Sequence, residues 1–172
     1  DLFVTLPHGF YFDVWWSVGT NDSNLSSDFA DEIDYSFGWE GKISETLTLN
    51  VGVSYFDLVD LGKFSEDLIQ LRASVSHEIE IGTHALSPFI QFEYIIPVNW
   101  DDVEGGIQIN LGLKHSFELH ENWSVQQQLQ VIYDSGVAGL DSGFIAEYGA
   151  KLSWEITDNV TVNLLQFWAM RP

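Results

Sequence analysis

Carboxylates are the most abundant reactive groups in this chain, and two pairs stand close enough in sequence to act together: Glu32 with Asp34, and Asp101 with Asp102. Paired carboxylates can divide general-acid and general-base duties. The run "NWDDVEG" adds Glu104 to Asp101 and Asp102 and offers the hard oxygen ligands that Ca²⁺ takes, without the spacing of an EF-hand loop. The competing reading of every such pair is a solvated or salt-bridged surface. The histidines are His8, His77, His84, His115 and His120, and none has HExxH spacing. "VSHE" around His77 and "KHS" around His115 set a serine beside a histidine. Neighbours on a strand point to opposite faces, so neither pair is a natural nucleophile and base. There is no cysteine, hence no thiolate ligand or nucleophile. The expectation is a protein that is no enzyme, with no catalytic residues, no resident metal and no cofactor.

The elements that would carry these residues are strands. Apolar residues recur at every second position along nearly the whole chain, as in "GFYFDVWWSVG" from Gly9 to Gly19. The pattern predicts ten strands, over about 1–6, 9–19, 31–42, 46–56, 67–79, 84–96, 106–118, 123–133, 143–155 and 160–169. Several reach the roughly 9–11 residues of a tilted membrane strand, beyond the usual five or six. No segment has a helical period, and no linker divides the 172 residues, so a single domain over 1–172 is expected.

The connections alternate in length. Short ones lie near Pro7, Ser44, Gly82, Glu121 and Asp158; long ones are "GTNDSNLSSDFA", "DLVDLGKFSED", "PVNWDDVEGG" and "DSGVAGLDSG". In an up-and-down meander all long loops then share one end, an asymmetry of outer-membrane barrels. The long loops gather Asp22, Asp28, Asp31, Asp57, Asp60, Glu66, Asp67, Asp101, Asp102, Glu104, Asp134 and Asp141 against the single base Lys63. The expectation is a solvated acidic rim, with Asp101, Asp102 and Glu104 as the candidate cation site within it.

Composition narrows the partners. A net charge of −20, from 26 acids and 6 bases, excludes a phosphate-binding surface for nucleic acid and a polybasic membrane surface. A hydrophobic content of 45% argues against disorder. No apolar run is long enough for a transmembrane helix.

Two faces emerge when the strands are aligned. One carries Tyr35, Phe37, Val51, Val53, Leu71, Ile90, Phe92, Ile109, Leu111, Leu129 and Tyr148 and almost no charge. The other is rich in Ser, Thr, Asn and Gln and poor in Lys, unlike a soluble exterior. Aromatics of the apolar face collect at the strand ends: Phe10, Trp39, Phe117, Trp123 and Trp154 at the short-turn end, Trp16, Tyr55, Tyr94, Tyr133, Phe144 and Trp168 at the long-loop end. Two aromatic belts mark two membrane interfaces. The predicted fold is therefore all-β, an up-and-down antiparallel transmembrane β-barrel with the apolar face outward. Gln127, Gln166, His77 and His115 fall on the lipid face in this register, and a bulge or a headgroup position would accommodate them. Asp13, Glu32, Asp34, Glu40, Arg72, Glu93, Lys114, Glu147 and Lys151 then line the lumen. Either they pair and close a narrow barrel, or they line a water-filled, cation-preferring pore.

"GFYFDVWWSVG", "DEIDYSFGWEG" and "LTLNVGVSYFDL" together resemble the TorF-like porin family of outer-membrane proteins. The resemblance rests on Gly9, Tyr11, Trp15 or Trp16 and Ser17, then Glu32, Asp34 and Phe37–Gly38, and covers about the first third of the chain. It implies a bacterial outer-membrane barrel with a porin role and a further strand ahead of this region, and brings no catalytic residues. The first turn is of the short type, which sets both termini at the loop end. Known single-chain bacterial barrels keep theirs at the periplasmic side, and "FWAMRP" lacks their terminal aromatic. The expectation is a piece of a barrel of about twelve strands, lacking one at each end.

The expected function is an outer-membrane channel of a Gram-negative bacterium, passing small polar or cationic solutes. Its partners would be membrane lipid, lipopolysaccharide and those solutes, with no nucleic acid. The alternatives are a closed structural or adhesive barrel and a soluble lipocalin-like calyx for an apolar ligand. "NWS" at Asn122 and "NVT" at Asn159 match the glycosylation sequon but lie in short turns of a barrel that would not use it.

Overall fold

A computed structural model describes residues 1–17, 32–57, 67–100, 103–137, 142–158 and 160–171, with the backbone alone at 17, 32 and 164–171. The strands are β1 (Leu2–Thr5), β2 (Phe10–Ser17), β3 (Glu32–Lys42), β4 (Leu47–Asp57), β5 (Asp67–His77), β6 (Ile79–Ile81), β7 (His84–Val98), β8 (Gly106–His120), β9 (Trp123–Asp134), β10 (Gly143–Thr157) and β11 (Val160–Arg171). β5 and β6 form one strand interrupted at Glu78, because both pair with β7 in one register, Ser76 with Phe89 and Ile79 with Leu86. Ten antiparallel strands result, and β1 joins β11 through Leu2–Val162, Phe3–Thr161 and Val4–Val160 to close the sheet. The fold is the predicted up-and-down barrel, closed with ten strands.

Local sequence sets the short turns. Pro7 opens a tight turn in which His8 and Gly9 take φ of 64° and 84°. The Leu6 amide donates to the Phe10 carbonyl at 2.7 Å, and Trp39 Nε1 donates to the His8 carbonyl at 2.8 Å, which ties the turn to β3. Gly82, with φ of 64°, begins the two-residue link between Ile81 and its partner His84, where a positive φ matches the twist of the flanking strands.

Alternation decides the rest. Leu111 is 57% exposed and Leu129 59%, and Phe37, Leu71, Ile90, Phe92 and Val131 are exposed with them. Ser36, Ser54, Glu93, Asn110, Gln130 and Ser153 are buried. The apolar side of the sheet faces out and the polar side faces in, the reverse of a calyx holding an apolar ligand. Aromatics stand at both ends of the outer face: Trp123 stacks on Trp154 at the turn end with centroids 5.9 Å apart, and Tyr133 meets Phe144 at the loop end at 5.4 Å; Trp168, expected in the loop-end belt, is instead in register with Gly149 on the inner face. Trp123 to Tyr133 on β9, like Phe144 to Trp154 on β10, is ten residues. At ~3.3 Å per residue and a tilt of ~40°, the belts stand about 25 Å apart. That equals the height of the apolar band of an outer-membrane barrel.

A register shift at Leu152/Ser153 sets Gln166 opposite the inward residue Lys151, as a bulge would. Gln127 and His115 stay on the outer face, opposite one another, and His77 lies at the turn end opposite Leu47.

Candidate functional site: the barrel lumen

The lumen holds a cavity of about 860 Å³. Six of the nine residues assigned to the lumen from sequence line it: Asp13, Arg72, Glu93, Lys114, Glu147 and Lys151. Asp34 is half-buried, in register with Trp15 and Phe56 on the inner face. Glu40 stands exposed toward the turn end, where its Oε2 accepts a hydrogen bond from Asn50 Nδ2 at 3.1 Å. The side chain of Glu32, the whole of Asp101 and Asp102, and loop residues 18–31, 58–66 and 138–141 lie outside the described residues. Glu104 is exposed in its loop. Among the described residues no group of three His, Cys, Asp or Glu gathers in the manner of a metal site.

Register explains how the charges meet. Tyr11, Gly38, Gly52, Arg72, Glu93, Gln108 and Asp134 follow one another across seven strands, each opposite the next. The two glycines make the row work. A Cβ on Gly38 would lie 2.3 Å from the Tyr11 hydroxyl, and one on Gly52 would lie 3.0 Å from it. Tyr11 therefore lies flat over both glycines, 4% exposed, and reaches the far side of the gap they leave. There its hydroxyl donates to Asn50 Oδ1 at 3.0 Å and accepts from an Arg72 terminal nitrogen at 2.9 Å. Phe3 stacks on its ring with centroids 5.3 Å apart.

A second aromatic repeats the device across the barrel. Phe89, 7% exposed, covers Gly112, where a Cβ would lie 2.4 Å from its ring. Lys114 Nζ sits 5.1 Å from the Phe89 centroid, as the Arg72 guanidinium sits 5.8 Å from that of Tyr11. A cation near an aromatic face is held by the ring quadrupole without being neutralised.

An amide wall completes the cavity. Gln128 Nε2 donates to Gln130 Oε1 at 2.7 Å, and Gln130 Nε2 donates to Glu147 Oε2 at 2.7 Å. Gln91 donates to Glu93. Gln70, Gln108, Asn110 and Gln126 add further amides. Lys151 faces the Asp13 carboxylate electrostatically, and Glu93 interacts with both Arg72 and Glu147. Bases and acids thus alternate around an amide-lined space, held by hydrogen bonds to glutamines and by rings more than by bidentate ion pairs.

The loop end corrects two expectations. Phe56, Leu68, Ile95 and Ile132 also line the cavity, so the inner face turns apolar just below the long loops. Val137, 2% exposed, folds over Gly106, the partner of Ile95. The acids of the loop bases are also not all a solvated rim: Asp67 and Asp134 are fully buried, and Asp57 is 7% exposed. Asp134 Oδ1 accepts from the Gly136 and Val137 amides at 2.7 and 2.8 Å, and its Oδ2 accepts from Gln108 at 2.6 Å. Asp67 accepts from the Tyr55 hydroxyl. Asp134 thus holds loop backbone and Asp67 a tyrosine of the neighbouring strand, because a buried charge is costly unless it is hydrogen-bonded.

In the sequence Tyr11 and Gly38 stand out only through the porin resemblance, and Phe3, Phe89, Gly52 and Gly112 do not stand out at all. The usable signal was an inward aromatic opposite a glycine on the next strand. It becomes visible only when the register is known. Comparison with protein-family models, with curated proteins and with solved structures gives no match.

Proposed function

We propose that the protein is a bacterial outer-membrane barrel whose polar lumen passes small polar solutes, with a preference for cations. One observation carries the reading: the sheet closes with its apolar face outward around a charged, amide-lined cavity of about 860 Å³. An exterior as apolar as that around Leu111 and Leu129 needs lipid or a partner to cover it. An eight-stranded barrel is filled by its own side chains, and ten strands leave more room. Here Tyr11 and Phe89 take up part of that room in the turn half of the barrel. The passage is narrow and selects by size first. Among the cavity-lining side chains Asp13, Glu93 and Glu147 balance Arg72, Lys114 and Lys151, and the preference for cations comes from the acidic loops, which put negative potential at one mouth. The resemblance of the first strands to the TorF-like porins supports the same reading.

Planar lipid bilayers test it. Purified protein added from detergent should give discrete current steps in KCl, with a reversal potential of cation-selective sign under a salt gradient. Protein that inserts and stays silent would overturn the channel in favour of a closed structural barrel. A monodisperse monomer in detergent-free buffer would overturn the membrane reading.

A further inference from the structure

The outer wall carries one polar constellation that the lumen does not explain. On the β7–β8 hairpin, His84 Nδ1 and His115 Nε2 lie 2.9 Å apart. The register produces the pair: His84 stands opposite Phe117 and His115 opposite Leu86, so the histidines are diagonal neighbours on the outward face. Their rings are near parallel, at 15° with centroids 5.1 Å apart, and Phe117 packs against both at 5.5 Å. Gln127 follows opposite His115 on β9. The group sits in the turn half of the wall, beside the turn that joins Ile81 to His84.

Two imidazole nitrogens facing each other share a single proton, one donating and the other accepting. A metal ion in place of that proton makes ligands of both. Imidazole suits Zn²⁺, Ni²⁺ and Cu²⁺. At metal–nitrogen bonds of ~2.0–2.1 Å, two tetrahedral ligands stand about 3.3 Å apart. Reaching that from 2.9 Å takes a tilt of both rings, which now meet head-on, so that their lone pairs converge on one ion; His84 is exposed and His115 half-buried. We propose that His84 and His115 form a two-histidine site for a divalent transition-metal ion of the Zn²⁺, Ni²⁺, Cu²⁺ class. Water fills the remaining positions, with the Gln127 amide as the neighbouring oxygen donor. The proposal is independent of whether the lumen conducts.

Tag-free protein in detergent micelles would be titrated with Ni²⁺ alone by calorimetry, and with Cu²⁺ alone by electron paramagnetic resonance. The expected result is one equivalent bound, with superhyperfine coupling to two nitrogens. His84→Ala or His115→Ala should each weaken Ni²⁺ at least tenfold and leave one coupled nitrogen, while His77→Ala leaves affinity unchanged. His84→Gln and His115→Gln keep a hydrogen-bonding side chain on the hairpin. They should lose affinity equally in protein whose heat-modifiable gel mobility shows it folded. No binding to the unaltered protein, or unaltered affinity in the folded His84→Gln/His115→Gln double variant, would overturn the site.

Discussion

Replacing Gly38 with alanine puts a methyl group where Tyr11 lies. The new Cβ would stand 2.3 Å from the Tyr11 hydroxyl and 2.4 Å from Cζ, distances no relaxed structure keeps, so the ring must leave its groove. Its departure breaks the hydrogen bonds to Asn50 and from Arg72, worth about 1 kcal/mol each. The stack on Phe3 is lost too, at about 0.5–1 kcal/mol. Removing a strand glycine returns about 0.5–1 kcal/mol of backbone entropy. Gly38→Ala should therefore destabilise by about 1.5–2.5 kcal/mol, with the strain against the Val51 carbonyl oxygen added to that. In a Tyr11→Ala background the ring no longer clashes and only the Val51 carbonyl oxygen, 2.7 Å from the new Cβ, must give way, so the same change should cost clearly less than in the unaltered barrel. The glycine entropy and the Val51 strain are common to both backgrounds, so the coupling between the two sites is the lost Tyr11 contacts, about 2.5–3 kcal/mol. The assay is a double-mutant cycle by urea unfolding of barrels folded into lipid vesicles, followed by tryptophan fluorescence. Additivity of the two substitutions within ~0.5 kcal/mol would refute the packing of Tyr11 across Gly38.

Two further outcomes follow from the lumen and its loop end. Asp134→Ala leaves the Gly136 and Val137 amides and the Gln108 amide without their acceptor. It should cost about 2–3 kcal/mol in the same unfolding assay, with Asp134→Asn recovering part of that, and an unchanged midpoint would show the carboxylate to be dispensable. Lys114→Gln with Lys151→Gln removes two of the three bases lining the cavity. The reversal potential in a KCl gradient should move toward the ideal cation value, whereas Glu93→Gln should move it the other way; shifts of the opposite sign would mean that these groups do not face the permeating ions.

Much of the wall was legible in the sequence because period-two alternation is a backbone property that survives without tertiary information. "GFYFDVWWSVG" gave Phe12 and Trp16 to the exterior and Asp13 to the lumen, and the structure exposes the first two and lines the cavity with the third. Strand bounds matched within a few residues because the short turns carry strong signals such as Pro7–Gly9 and Gly82. Cross-strand neighbours were not legible. Whether Tyr11 lies over glycines or over bulkier residues depends on a register fixed jointly by turns on both sides of β3. The buried carboxylates Asp67 and Asp134 looked like any other loop acid, because burial at a strand end depends on neighbours from other strands, such as Tyr55 and Gln108, that alternation does not reveal. His84 and His115 are 31 residues apart, and only the β7–β8 pairing brings them together. Leu68, Ile95 and Ile132 obeyed the alternation in position but not in polarity, since the inner face grows apolar where the loops cap it.

The orientation of the sheet is most directly measured on two adjacent residues of β9, Gln128 and Leu129. The chain contains no cysteine, so Gln128→Cys and Leu129→Cys each give a single attachment point for an environment-sensitive fluorophore. In lipid vesicles the label at 129 should emit in the blue and be quenched by nitroxide-bearing acyl chains, while the label at 128 should emit as in a polar environment and escape that quenching. The opposite pattern, with 128 quenched from the acyl chains and 129 silent to them, would place the glutamine-rich face against lipid and contradict the account.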